Sequence, residues 1–389
     1  MAKKVHRGYE SEWGKDQNGH LPGQSITIKE PMQATVVDGL TVSIEDLKER
    51  STTMSLNSGK NIAHKLTSLE LTYGINDLTE RVIIPACRAL ANQVDQDIAA
   101  VYSGVPNQIG TPGTTPSAFF TFAQAAQYLT EMGVPEEDRC LVLNPAAHAK
   151  VADNLKGLFI QDRVDDMVKK GYIAADLAGF EVYKSNNLSS HTCGTACGSS
   201  AVLVDDTVAD GDTGMNLDQN GAGSALTFKH GDVFSCATPK AINPLNRTSL
   251  GRARNFCIDA DAVFADAGGG DYNVDVTCTP GTSPHQMYET GSYMNMNALP
   301  ANNDALTIPG SSGLIYPVNL AFQKNAIALV MKPLAKLDSA VWYATQSYKG
   351  YTISVMKYIE GSTRSEVIRF DILFGVSLLQ PDGVVRIAG

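Results

Sequence analysis

Asp77-Leu78-Thr79-Glu80-Arg81-Val82-Ile83-Ile84-Pro85-Ala86-Cys87-Arg88-Ala89-Leu90-Ala91-Asn92-Gln93-Val94-Asp95-Gln96-Asp97-Ile98-Ala99-Ala100-Val101-Tyr102-Ser103 is the stretch on which the fold turns. Asp77 and Glu80 have capping-box spacing, with Asp in place of Ser or Thr. Leu78, Val82, Ile83, Leu90, Val94, Ile98 and Val101 then recur at roughly helical spacing, and Gly104 and Pro106 stop the pattern. Pro85 should kink or tighten the early turns. The predicted helix has about 25 residues and is about 38 Å long at 1.5 Å per residue. That is long for a globular domain.

Outward from this helix the pattern changes on both sides. Residues 20–72 read as strands and hairpins with little core of their own. Ile26 and Ile28 alternate with Ser25, Thr27 and Lys29; Leu40, Val42 and Ile44 follow an Asp38-Gly39 turn signal; Met54 and Leu56 alternate again. Between them lies a mixed-charge patch, Glu45-Asp46-Leu47-Lys48-Glu49-Arg50. After the helix, Gly110–Pro116 is a loop and a helix is expected over Thr121–Met132. Leu141-Val142-Leu143 reads as a buried strand, a helix with Pro145 in its first turn runs to about Leu158, and Gly179–Tyr183 is a further strand.

From Ser189 to about Pro309 the chain is rich in Gly, Asp, Thr and Asn, and no helical period survives. Short strands are expected at Ala201–Val204, Ala225–Phe228, Val233–Ala237, Phe256–Val263 and Tyr272–Cys278, the pattern of a small barrel or sandwich inserted into the chain. Beyond it, Asn319–Met331 is apolar. Tyr351, Ile353 and Val355 alternate before a Gly361-Ser-Thr363 turn. Ile368, Phe370, Ile372 and Phe374 then line one face, with Arg369 and Asp371 on the other.

Composition narrows the function. The 389 residues carry a net charge of −10 with 19% charged residues, and no basic run is long enough to track phosphates. The cluster Lys3-Lys4-Val5-His6-Arg7 is expected to be a solvated terminus, with at most weak, non-specific contact to DNA. The longest apolar run, Ala326–Met331, is far short of the ~20 residues of a membrane span. No secretory signal is visible, so a cytosolic site of synthesis is expected.

Catalytic signatures fail one by one. Gly59-Lys60 is followed by Asn61, and Met54 holds the place of the first glycine of a phosphate loop. No G-x-S-x-G elbow occurs, His64 and His148 do not form an H-E-x-x-H pair, and Gly268–Gly270 sits between strands. The acidic stretch Asp205, Asp206, Asp210, Asp212, Asp218 lacks the Glu that closes a calcium loop, so a solvated loop is preferred. Asp259 and Asp261 are expected to share one face of a strand, without a partner that would make them an acid/base pair. Tyr343, Tyr348, Tyr351 and Tyr358 read as core or interface packing. The seven cysteines are odd in number and scattered, which argues for reduced thiols. Only Cys193-Gly-Thr-Ala-Cys197 is close-spaced; His191 is near, but no fourth ligand follows at ordinary spacing, so no metal and no cofactor are expected.

The order of parts carries a resemblance. Leu66-Thr-Ser-Leu-Glu-Leu71 leading to Asp77–Arg81, Pro85-Ala-Cys-Arg-Ala-Leu-Ala-Asn92, Gly110-Thr-Pro-Gly113, Leu143-Asn-Pro-Ala-Ala147, Gly179–Ser185, Ala241-Ile-Asn-Pro244 and Asn319-Leu-Ala-Phe-Gln-Lys324 are similar to segments of one family. That family is the tailed-bacteriophage major capsid (coat) proteins of the phage P-22 type, with the Hong Kong 97-type fold. The resemblance covers nearly the whole chain and rests on the order of the segments. It implies an α+β fold with an inserted all-β, barrel-like domain. It implies an amino-terminal segment at 1–19, an extended β loop at 20–72, a peripheral domain at 73–106 and 351–389, an axial domain at 107–188 and 310–350, and the inserted domain at 189–309. Family members usually carry an amino-terminal helical arm, whereas loop-like sequence here begins by about residue 20.

The same resemblance implies a non-enzymatic building block of the virion capsid, assembled in the host cytoplasm as hexamers and pentamers of an icosahedral shell around the genome. Its expected partners are other copies of itself, a scaffolding protein, a portal and a decoration protein. Glu45, Asp46, Lys48, Glu49 and Arg50 are the expected intersubunit contacts, suited to setting register more than affinity. Lys48→Glu with Arg50→Glu is expected to block the shell and leave a folded monomer. Two other readings stand beside this one: a non-viral nanocompartment shell of the same fold, and a secreted carbohydrate-binding β-rich protein, which the missing signal and unpaired cysteines disfavour.

Overall fold

The computed structural model describes residues 1–14, 25–34, 49–67, 79–155, 173, 176–219, 225–268, 271–338, 340–348, 350–362 and 365–389. Asp77 and Leu78 of the capping box, the Asp38-Gly39 turn and the Gly269-Gly270 pair lie outside these residues. The chain forms two compact units. One comprises Met1–Thr27, Thr53–Ala99 and Ile327–Ser377, the other Ile28–Thr52, Ala100–Ala326 and Leu378–Gly389.

The first unit holds the spine and a five-stranded sheet. Helix α1, Ile84–Ala99, buries Ala86, Leu90, Val94 and Ile98 on one stripe, as its apolar spacing predicts. A wide π turn, Thr79–Ile83, precedes it, and the tighter 3-10 turn Ala100–Gly104 follows. The change of winding falls at Pro85, which donates no N–H and crowds the carbonyl four residues earlier.

In the sheet, Ser365–Leu378 is central. Ser58–Thr67 runs antiparallel along Ser365–Phe374, so the last strand of the expected extended loop is a sheet member. Tyr351–Glu360 pairs with Ser365–Asp371 across the expected turn, and Trp342–Tyr348 pairs with Tyr351–Lys357. Phe370, Ile372 and Phe374 are buried as expected, but Ile368 is only partly buried while Val367 and Asp371 of the opposite face are buried. Both faces of this strand are therefore covered in part, and Asp371 is accommodated by accepting from Arg369 Nε at 2.7 Å.

The amino-terminal cluster is not the solvated end expected for it. Ala2 and Val5 are buried, the Ala2 N–H donates to Asp95, and His6 bridges Ala328. Two small apolar side chains three apart leave water while Lys3 stays exposed.

The second unit contains a mixed sheet and a barrel. The mixed sheet runs Gln108–Ile109, Val384–Ala388, Ile315–Gln323, Arg139–Leu143, Phe180–Lys184, Asp176–Leu177, with Ser190–Thr192 added to Ile315–Gln323. Helices α2, Phe119–Glu131, and α3, Pro145–Leu155, share its core: Phe122, Leu129, Ala147 and Val151 meet Leu141, Leu143, Phe180 and Ile387. Asn144 Oδ1 caps α3 by accepting from Ala147 N at 2.6 Å, and Pro145 opens the first turn. Asn319 is fully buried and accepts from Asn144 N at 2.8 Å. Segment limits differ from those expected. The axial return ends at Ala326, because Ile327–Lys332 joins the first unit's sheet, and Val384–Ala388 belongs to the mixed sheet, because it pairs with Ile315–Gln323.

The inserted β domain closes as a barrel. Its strands run Leu306–Thr307, Val233–Ile242, Ser249–Ile258, Asp271–Thr279, Gly214–Gln219, Val202–Val204, and a bridge from Leu203 to Ala305 joins the two ends. Closure leaves no long free edge among the described residues of the domain. Phe228, Phe234, Phe256 and Phe264 fill the interior, with ring centres 5.4–6.3 Å apart. Three expectations change here. Asp218 sits on a strand, where Met215 and Leu217 point inward between Asn216 and Asp218. Asp210 and Asp212 accept backbone N–H groups of Glu289 and Ala209, so those carboxylates pin turns. Asp259 and Asp261 lie past the end of Ser249–Ile258 and serve different partners: Asp259 accepts from Thr279 Oγ1 at 2.8 Å, and Asp261 accepts from Lys229 Nζ at 2.6 Å.

Candidate assembly surfaces and a buried polar cluster

Of the five expected intersubunit residues, Glu45, Asp46 and Lys48 lie outside the described residues. Glu49 is exposed and pairs with exposed Lys29. A solvated pair of this kind contributes little to stability. Arg50 is committed within its own unit. Its guanidinium lies 4.0 Å from the centre of the Tyr293 ring and 5.8 Å from that of Tyr288. Its carbonyl accepts from Glu30 N at 2.9 Å. Glu30 is 3.3 Å from His285 Nε2 and accepts from Thr52 Oγ1 at 3.1 Å. Burial opposes the charge on Glu30, but the His285 and Thr52 hydrogen bonds and the nearby Arg50 guanidinium outweigh it and hold the carboxyl below its ordinary range. Arg50 thus fastens the base of the loop to its own chain. Arg50→Glu would damage the subunit itself, so the double charge reversal is not a clean probe of assembly.

A surface that no charge pattern marked lies on the first unit. Trp342–Tyr348 is the outermost strand of its sheet, and among the described residues it pairs on one side only. Trp342 is 53% and Tyr348 68% exposed, and Val341 and Leu337 just before them are exposed as well. Open backbone donors and acceptors beside large apolar side chains are a template for another chain. Two of the four tyrosines singled out by sequence, Tyr343 and Tyr348, lie on this strand. Tyr351, on the next strand, donates to Asp95 at 3.1 Å. The sequence signal was there: aromatic residues bracket a short strand with no alternating apolar face.

A third feature is buried. His191 is the inward-facing middle residue of Ser190–Thr192, the loop Cys193–Cys197 follows, and Asp232 precedes the barrel strand Val233–Ile242. His191 Nε2 is 2.9 Å and Cys197 Sγ 3.3 Å from Asp232 Oδ1. Asp232 Oδ2 accepts from Gly194 N at 3.1 Å and Lys229 N at 2.7 Å. All four side chains are buried. Gly194 is required by close approach, since a Cβ there would run into the Thr227 carbonyl and the Asp232 carboxylate. The fourth group that sequence spacing failed to supply comes from Asp232, 35 residues beyond Cys197 and brought back by the fold.

A spine helix, a mixed sheet with two helices and an inserted barrel define the class, a phage-capsid fold of α+β type. A solved structure from Mycobacterium phage Che8 shares it: 15% identity, 99% of this chain and 89% of that chain covered, TM-score 0.52. The capsid structure of cyanophage P-SCSP1u is 12% identical over 94% of this chain and 84% of its own, with a TM-score of 0.47. A curated relative, the major capsid protein of Acyrthosiphon pisum secondary endosymbiont phage 1, is 22% identical over 90% of this chain and 85% of its own length. The chain belongs to the P22 coat protein family (gene protein 5), whose model matches residues 1–389. It is a phage major capsid protein and a component of the virion shell, which it forms by self-association.

Proposed function

We propose that this coat protein assembles as hexamers and pentamers of an icosahedral shell around the phage genome, with a purely structural, non-catalytic role. The observation that supports the lattice is the open apolar edge Trp342–Tyr348, which another copy can cover. Each contact need only be modest, because many contacts per subunit act together. A scaffolding protein, a portal and a decoration protein complete the set of partners, and assembly takes place in the host cytoplasm. Contact with packaged DNA is weak and non-specific, in keeping with a net charge of −10. Electron microscopy of the purified chain, with and without its scaffolding partner, tests this reading. Closed shells with six-fold and five-fold clusters are expected; monodisperse monomers under both conditions would overturn it.

A further inference from the structure

We infer that His191, Cys193, Cys197 and Asp232 form a structural zinc site. The donor set is one imidazole, two thiols and one carboxylate, a combination that suits tetrahedral zinc. Ligand atoms on such an ion lie about 3.3–3.8 Å apart, given bonds of about 2.0–2.3 Å. Here the His191, Cys193 and Asp232 donor atoms all lie within 4.8 Å of one another. Cys197 Sγ is 3.3 Å from Asp232 Oδ1 and lies outside that group of three. A rotation of the Cys197 side chain would bring it in as the fourth ligand.

The surroundings are those of a metal site. His191 Nδ1 faces Tyr102 Oη at 3.2 Å, so with Nε2 on the ion the Nδ1–H would donate to that hydroxyl. The two backbone N–H groups on Asp232 Oδ2 aim Oδ1 at the imidazole and the Cys197 thiol. On binding, each thiol gives up its proton to solvent. Two thiolates, a carboxylate and a divalent ion leave one net negative charge. The fully buried Arg386, which donates to Gly231 O at 2.6 Å beside Asp232, offsets it. Such an ion would join the strand Ser190–Thr192 of the mixed sheet to the first long strand of the barrel, fastening the insertion at its root.

The test is elemental analysis of the full-length protein, expressed with added zinc sulfate and purified without chelator. The expected content is about one zinc per subunit. It should fall at least tenfold in the Cys193→Ser, Cys197→Ser double variant. Because that variant can fail to fold, wild-type protein is also titrated with an organomercurial in the presence of a zinc-sensitive dye. Zinc release should rise in step with modification of two further thiols once the more accessible Cys87 has reacted. Cobalt(II) exchanged into the wild type should show the intense visible bands of a tetrahedral ion and a thiolate-to-metal charge-transfer band. Wild-type protein that stays zinc-free after reconstitution overturns the inference. So does a Cys193–Cys197 disulfide found by mass spectrometry, or undiminished zinc in a folded double variant.

Discussion

Replacing Trp342 and Tyr348 together by threonine should raise the concentration needed for shell assembly about a hundredfold and leave the subunit folded. The magnitude follows from exposure. Trp342 is 53% and Tyr348 68% exposed, and aromatic side chains of this kind present about 150–250 Å² each. Roughly 180–300 Å² is therefore open to a neighbour, worth about 4.5–7.5 kcal/mol if wholly covered at about 25 cal/mol per Å². Threonine keeps the β-branched preference of the strand and retains roughly half of that area, so about 3 kcal/mol is lost per contact. At about 1.4 kcal/mol per factor of ten, this is about two orders of magnitude in association. Within the subunit Trp342 buries nearly half and Tyr348 about a third of its surface, and the backbone register with Tyr351–Lys357 is untouched, so unfolding should cost about 2 kcal/mol less and the subunit should stay folded. Light scattering against protein concentration, with sedimentation of the products, measures the threshold; circular dichroism and urea unfolding verify the fold. A threshold within twofold of wild type would refute the assignment of this edge as an interface.

Other outcomes follow from buried charges and thiols. Asp382→Asn leaves the fully buried Arg254 without its anion, now 2.8 Å away. Breaking a buried pair costs about 3–5 kcal/mol, and because Asp382 is itself partly exposed, about 2–3 kcal/mol is expected in urea unfolding, with partial recovery on adding Arg254→Met. Glu30 and Asp382 are both held below their ordinary carboxylate range, by His285 and by Arg254 respectively. Their contribution is therefore complete above the unfolded values of about 4 and is lost as pH falls through the lower folded values; the melting temperature should drop steeply below about pH 4, and Glu30→Gln should flatten that drop. Among the thiols, partly exposed Cys87 should react first with iodoacetamide in the native protein, whereas Cys257, buried and pushed up to about 12, should stay unmodified until the chain unfolds.

The elements legible in the sequence are those whose stability is local or periodic. The stripe Leu90, Val94, Ile98 specified the spine helix without any partner in view, and Asn144-Pro145 specified both a strand end and a helix start. The pair around Gly361 followed from alternation alone. What stayed hidden depends on pairing across long separations. Ser249–Ile258 begins with Leu250-Gly-Arg-Ala-Arg254, which has no apolar alternation, because Arg254 is buried against Asp382, 128 residues later. Barrel closure through Leu203 and Ala305 has no sequence signature, since a single bridge between residues about a hundred apart decides it. The charged patch at Glu49 and Arg50 pointed to assembly because charge is conspicuous. The structure turns Arg50 inward onto Tyr293 and exposes an aromatic edge elsewhere, where cross-strand neighbours cover only one side. The polar cluster shows the limit most sharply. Ligand-counting by spacing stops at Cys197, yet Gly194 lets the loop approach Asp232 so closely that a carboxylate arrives from the turn before a distant strand. A glycine between two cysteines was the local trace of that approach, and close backbone packing, not loop flexibility, is the physical reason for it.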